Sequence, residues 1–309
     1  MTEKLYWLFG FVGLYWAYCL YWGIKGARSA KTSTDYFLAG GSIGVWVFVL
    51  AATATSFSGW TFVGHPGKIF TDGLPYAFAS FYALTIPLTG VLFLRRQWVL
   101  GKAYGYITPG EMYSDYYGGN SIRLLTVLVA FLFSVPYLGV QLRASGDLFN
   151  VLTDGLISVD VGMFALSTVV MIYVASGGLK SVAFVDCAQA ILLAIGIMIL
   201  GGVTLNYLGG WSSFTAGLAD LVRSDIESGN NLTLDGFSKK VAIPGSIQMV
   251  PQGSESVGGS WTGIMCMTYM FALMGIQSSP AFSMWAFSNK TSQAFRWQQV
   301  FASALFIGV

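Results

Sequence analysis

Along the chain, uncharged apolar runs of about twenty residues alternate with short polar connections. A run of that length crosses roughly 30 Å of hydrocarbon as a helix. The pattern therefore predicts seven spans, at 5–25, 45–67, 74–94, 124–145, 157–176, 182–207 and 261–287, and an eighth that begins near 297. The ten-residue alternation of a membrane barrel is absent. The final run, "FASALFIGV", is too short for a full crossing, so the chain reads as ending inside a span of a longer protein.

Two spans are interrupted. Residues 50–67, "LAATATSFSGWTFVGHPG", gather Thr53, Thr55, Ser56, Ser58 and Thr61 with Gly59, Gly64 and Gly67 inside an apolar segment. The seventh span, "MFALMGIQSSPAFSMW", places Gly275, Gln277, Ser278, Ser279 and Pro280 near its middle. Read as an interior residue, Pro280 removes a helical hydrogen bond and crowds the preceding turn. Irregular backbone at membrane depth survives only against protein or a water-filled cavity. Small residues also allow close helix packing, and for the first segment alone the two readings balance. The second interruption, five spans later, favours a site, because paired broken helices in corresponding halves mark the binding centre of a secondary transporter.

Composition agrees. Of 309 residues 55% are hydrophobic and 10% charged, against about a quarter charged in soluble domains, so this is an integral membrane protein. A net charge of +2 with no basic aromatic-studded cluster argues against nucleic acid. Placing the N-terminus outside puts Lys25, Arg28, Lys31, Arg95, Arg96, Lys102, Arg123, Lys180, Lys290 and Arg296 inside, the orientation that the positive-inside rule favours. Cys19, Cys187 and Cys266 lie in apolar segments without metal or redox spacing and read as small hydrophobes. The first run is twenty residues long with no small-residue cleavage site, hence a retained span. Trp and Tyr gather at span ends, as interfacial anchors do.

The long connection 208–260 is polar and rich in Gly, Ser and Asn. Within it Phe214, Leu218, Leu221 and Val222 share one face of a short amphipathic helix, a solvated cover or a lid on the outer surface. Among charges within spans, Asp186 is a functional candidate because an intramembrane acid is costly. The competing reading is an interfacial acid that caps a helix or pairs with Lys180. Arg143 reads as snorkelling or pairing with Asp147, and His65, the one histidine, as a packed polar residue.

Three motifs now resemble a known family. "STDYFLAGGSIGVWVFVLAATATSFSGWTFVGHPG" is similar to the first core region of the sodium:solute symporter family, "IYVASGGLKSVAFVDCAQAILL" to its Gly-Gly-Leu signature, and "ITPGEMYSDYYGGNSIRLL" to the connection between its third and fourth spans. The resemblance runs from about Asp35 to Lys290. It implies an all-α, leucine-transporter-like inverted-repeat fold in a single transporter domain. That domain would comprise an extra helix at 5–25, a first five-helix repeat at about 45–207, an outer connection at 208–260 and the start of a second repeat at 261–309.

The resemblance also implies Na⁺ as coupling ion, no organic cofactor, and import of a small polar solute across the plasma or inner membrane without chemistry performed on it. Sodium would meet the backbone carbonyls of Ala54 and Phe57. Substrate would meet Ser56, Ser58, Trp60, Tyr137, Tyr269, Gln277 and Ser278, and Asp186 would line the inner ion exit. Ser56 stands where proline carriers of the family have an aspartate, which weakens a proline assignment, and many members have an arginine around Trp285. A transporter-like sensor preceding a histidine-kinase module is the alternative.

Overall fold

The computed structural model describes residues 3–80, 90–233, 235–250, 259–271, 274–275 and 279–308, with side chains up to Ala302. Among these it is all-helical. In chain order the helices are α1 (Glu3–Ser29), α2 (Ser33–Leu38), α3 (Val45–Ser56), α4 (His65–Asp72, entered through a π-helical turn at Trp60–Gly64), α5 (Leu74–Ala79), α6 (Arg95–Tyr104), α7 (Pro109–Tyr117), α8 (Asn120–Leu152), α9 (Val159–Tyr207), α10 (Trp211–Glu227), α11 (Gly263–Tyr269), α12 (Pro280–Ser288) and α13 (Gln293–Gly308). They fall into two compact units, one taking in 1–64, 90–191 and 277–300, the other 65–89, 192–276 and 301–309. Among the described residues, α1, α8 and α9 are long and apolar enough to span, and the bent pair α3–α4 qualifies as a fourth.

A straight helix of 49 residues would measure about 73 Å at 1.5 Å per residue, more than twice the hydrocarbon thickness. Helix α9 does not run straight. Gly178 leaves helical geometry (φ 60°, ψ −161°), and residues on both sides of it meet the same stretch of α1. Cys19 packs against both Val169 and Val185. Likewise Gly23 lies against Tyr173, and Tyr18 donates to Phe184 O at 3.0 Å. The chain therefore reverses at Gly178, and the expected spans 157–176 and 182–207 form a hairpin. A Cβ at Gly178 would strike Tyr36, whose hydroxyl donates to carbonyls one turn before that glycine, Val174 O at 3.3 Å and Ala175 O at 2.9 Å. Only glycine supplies both the positive φ and the space.

Tyr36 belongs to α2, whose start is fixed by a capping box. Thr32 Oγ1 accepts from Asp35 N–H at 3.1 Å, and Asp35 Oδ2 accepts from the Thr32 N–H, also at 3.1 Å. These bonds, first the Thr32 side chain and then the Lys31 and Thr32 backbone, hold the Asp35 carboxyl below its usual range. The folded state binds this proton less readily than the unfolded one, so the contribution is complete above the unfolded pKa of about 3.9 and lost as pH falls through the lower folded value. Amide exchange across 33–38 should accordingly speed up below about pH 4 in the parent, while Asp35→Asn should exchange at a pH-independent excess. Equal acid sensitivity in both would show that the cap does not hold α2.

In the second unit, the expected amphipathic helix is α10. Phe214, Leu218 and Val222 are half-buried, whereas Leu221 is exposed, because a helix this short turns only a narrow stripe inward. Asp225 near its end is buried and accepts from Ser238 N–H at 2.6 Å. His65 is packed as expected, with Nε2 on Ser80 Oγ and its ring against Tyr76. Back in the first unit, Arg143 Nε reaches Asp147 Oδ2 at 3.1 Å. Pro280 departs from expectation. It is the first residue of α12, not an interior one, a position where a missing N–H costs nothing.

Candidate functional site

The site is built on the break in the second span. Helix α3 stops at Ser56 because Phe57 turns to extended backbone (φ −81°, ψ 139°), its N–H closing the helix on Ala54 O at 2.9 Å. The Ala54 carbonyl keeps a second lone pair. Between Val45–Ser56 and Trp60–Asp72 the axis bends by 60°. Such a break leaves the first N–H groups of the new helix without intrahelical acceptors, and side chains supply them. Ser58 N–H donates to Thr61 Oγ1 at 3.3 Å, and Gly59 N–H donates to Gln141 Oε1 on α8. A Cβ at Gly59 would lie 2.6 Å from the Ala144 Cβ and 3.1 Å from Gln141 Oε1. Glycine thus admits α8 to the broken backbone.

The hydroxyls flank this gap. Thr55 Oγ1 and Ser56 Oγ return to Ala51 O and Ala52 O at 2.9 and 3.3 Å. Past the break, the Ser58 side chain lies near enough to the Tyr137 phenol to act on it electrostatically, and that ring stacks on Phe133. Trp60 lies over Gly64, where a Cβ would strike its ring. Of the residues expected at a substrate site, the structure brings Ser58 and Tyr137 together and places Ser56 and Trp60 on either side of the same break. Tyr269 belongs to the second unit, within an aromatic cluster with Trp261 and Tyr76 at centroid distances of 5.3 and 6.4 Å. Gln277 and Ser278 lie outside the described residues.

Asp186, on the second arm of the hairpin, is 9% exposed. Among the described residues no Lys, Arg or His comes within ion-pair distance of it. The pairing with Lys180 is therefore not formed; Lys180 sits near the reversal, where its charge acts on Asp35. Asp186 Oδ2 lies 3.4 Å from Thr55 Oγ1, and Trp285 Nε1 donates to that same Thr55 oxygen at 3.1 Å. One hydroxyl at the end of α3 thus joins α12 and the hairpin. Sequence reasoning missed this role of Thr55 and Trp285, and also Gln141 as the acceptor for Gly59. The available signal was a polar side chain in each span with no stated partner.

The sequence profile of the sodium:solute symporter family matches residues 36–279. The chain belongs to the sodium:solute symporter family. Among curated relatives, a mouse (Mus musculus) protein named solute carrier family 5 member 4B is 28% identical over 66% of this chain and 30% of its own length. The sodium/proline symporter of Escherichia coli (strain K12) is 28% identical over 60% of this chain and 37% of its own. The high-affinity proline transporter PutP of Bacillus subtilis (strain 168) is 28% identical over 59% and 39%. The chain therefore spans only about a third of the length of these relatives.

A solved structure of a Na⁺-coupled sialic acid symporter, described as a substrate-bound outward-open state, superposes with a TM-score of 0.67 at 18% identity. It covers 99% of this chain and 57% of its own, and at that identity it establishes the fold alone. The expected all-helical symporter architecture is thus the one observed. All four proteins are carriers by description, and nothing in these comparisons favours the sensor alternative.

Proposed function

We propose that this member of the family is part of a sodium-coupled carrier that imports a small polar organic solute by alternating access, with its N-terminus outside the plasma or inner membrane. The observation that carries the reading is the break at Phe57–Gly59. It sets hydroxyls and irregular backbone inside an apolar segment and takes one acceptor, Gln141 Oε1, from a neighbouring helix, an arrangement that suits ion and solute binding better than close packing. In this reading Na⁺ meets the carbonyls of Ala54 and Phe57. Ser56, Ser58, Trp60 and Tyr137 meet the solute, joined by Tyr269, Gln277 and Ser278, and Asp186 lines the ion's inward path. Residues 45–207 act as a first repeat and 261–309 as the opening of a second. The serine at position 56, uncharged, favours a solute other than proline, whatever the names of its relatives.

One charge moving through 100 mV is worth about 2.3 kcal/mol, enough for roughly 50-fold accumulation by a single sodium. In proteoliposomes holding the intact carrier, a panel of amino acids, sugars, carboxylates and osmolytes should contain a solute that accumulates only under an inward sodium gradient. Ser58→Ala should raise its half-saturating concentration by about three- to tenfold, the loss of one hydrogen bond, with Ser56→Ala in parallel. Uptake by the parent that is indifferent to sodium would remove the symporter reading.

A further inference from the structure

The hydroxyl of Thr55 has one proton and three neighbours. Trp285 Nε1–H can only donate, so it takes a lone pair of Thr55 Oγ1 at 3.1 Å. The proton is left to choose between Ala51 O at 2.9 Å, within its own helix, and Asp186 Oδ2 at 3.4 Å, across to the hairpin. Trp285 is 2% exposed, so water does not compete for its N–H. The same two segments are tied a second time, before the start of α3 and at the C-terminal end of α12, where Ile43 N–H donates to Ser288 O at 3.2 Å and Lys290 N–H to Ile43 O at 3.0 Å. Phe48 of α3 and Phe295 of α13 pack edge to face beside that tie. Both ends of α3 are thus tied to the C-terminal part of α12, and through Thr55 the pair touches the hairpin at Asp186.

We propose that Trp285 is a positioning residue for the ion-coupled step. By filling one lone pair of Thr55, it turns the single hydroxyl proton into a latch between the clasped pair α3–α12 and the hairpin. While Asp186 is unoccupied, the proton reaches for its carboxylate and holds the pair in place. A cation arriving at Asp186 occupies the carboxylate oxygens, the proton returns to Ala51 O, and the pair is released. The inference rests on the carrier reading above and adds residues that reading does not use.

The test is a double-mutant cycle in the intact carrier. Trp285→Phe keeps the ring and removes the donor; Thr55→Val keeps the shape and removes the hydroxyl, and Thr55→Ser restores it. Each of the first two should lower half-saturating external sodium by about three- to tenfold, since the cation no longer has to displace the Thr55 proton, with maximal uptake changed by less than about twofold. The double variant should fall no further than the lower single one, and Thr55→Ser should return to the parent value. Effects that multiply, or sodium dependence unchanged in both single variants, would overturn the latch.

Hydrogen exchange in detergent separates this outcome from failure of the carrier reading, because it requires no sodium-driven uptake. Trp285→Phe should speed exchange around 182–190 on α9, distant in sequence, to the same extent as Thr55→Val and non-additively. Exchange there that is unaltered by Trp285→Phe would sink the latch even if sodium-driven uptake were intact.

Discussion

Gly59→Ala in the intact carrier lowers solute uptake tenfold or more, and Ala144→Gly in the same chain restores most of it. The added methyl would lie 2.6 Å from the Ala144 Cβ and 3.1 Å from Gln141 Oε1. The side-chain oxygen can swing away, but the Ala144 Cβ is fixed to the backbone of α8, so α8 and the broken span must part. Overpacking of this kind costs about 1–3 kcal/mol, a factor of roughly 5 to 150 in any equilibrium that needs the break intact. Separation also removes the acceptor from the part-buried Gly59 N–H, which adds up to about 1 kcal/mol more. Taking the methyl off position 144 restores the space without touching the break. Uptake should be measured beside expression level and melting temperature. A well-expressed Gly59→Ala carrier at parental rate would show that the close approach of α8 is incidental, and failure of Ala144→Gly to rescue would place the damage elsewhere.

Asp186→Asn should raise the half-saturating sodium concentration at least tenfold. The carboxylate is buried, and among the described residues no basic side chain comes within ion-pair distance of it. An intramembrane acid in that position most often serves a mobile ion. Asparagine keeps the size and can still accept from Thr55 Oγ1, so the change isolates charge from packing. Loss of even 1.4 kcal/mol of attraction for a passing cation is tenfold in affinity. Asp186→Leu, which also removes the acceptor for Thr55, should lower maximal uptake as well. If Asp186→Asn titrates with sodium as the parent does, the acid has no part in the ion's path.

The main lines of this fold were legible because membrane insertion writes them into composition. The hairpin at Gly178 followed from two apolar runs separated by "SGGLKS", and the break at Phe57 followed from glycine and hydroxyls where lipid demands neither. What escaped was partnership over long sequence separations. Gln141 lies 82 residues from the N–H that it accepts, and a glutamine near the end of a span reads equally well as an interfacial residue. Trp285 was open to the same misreading, since tryptophans in membrane proteins mostly anchor at interfaces, whereas this one spends its N–H on a threonine 230 residues away. Pro280 was misplaced for a local reason. Proline breaks a helix or begins one, and which of the two applies depends on where the break falls, which periodicity does not fix.

The reversal at Gly178 bears on how sidedness can be mapped. Connections between spans are ordinarily where reporter tags are inserted or reactive cysteines introduced, on the assumption that they are wet. Here Gly177, Gly178 and Ser181 are buried, Tyr36 closes over the tip, and Gly26 of α1 lies so near that a Cβ there would meet Ser181 Oγ. A probe placed at this tip would report the silence of a packed joint whichever face of the membrane it lay on.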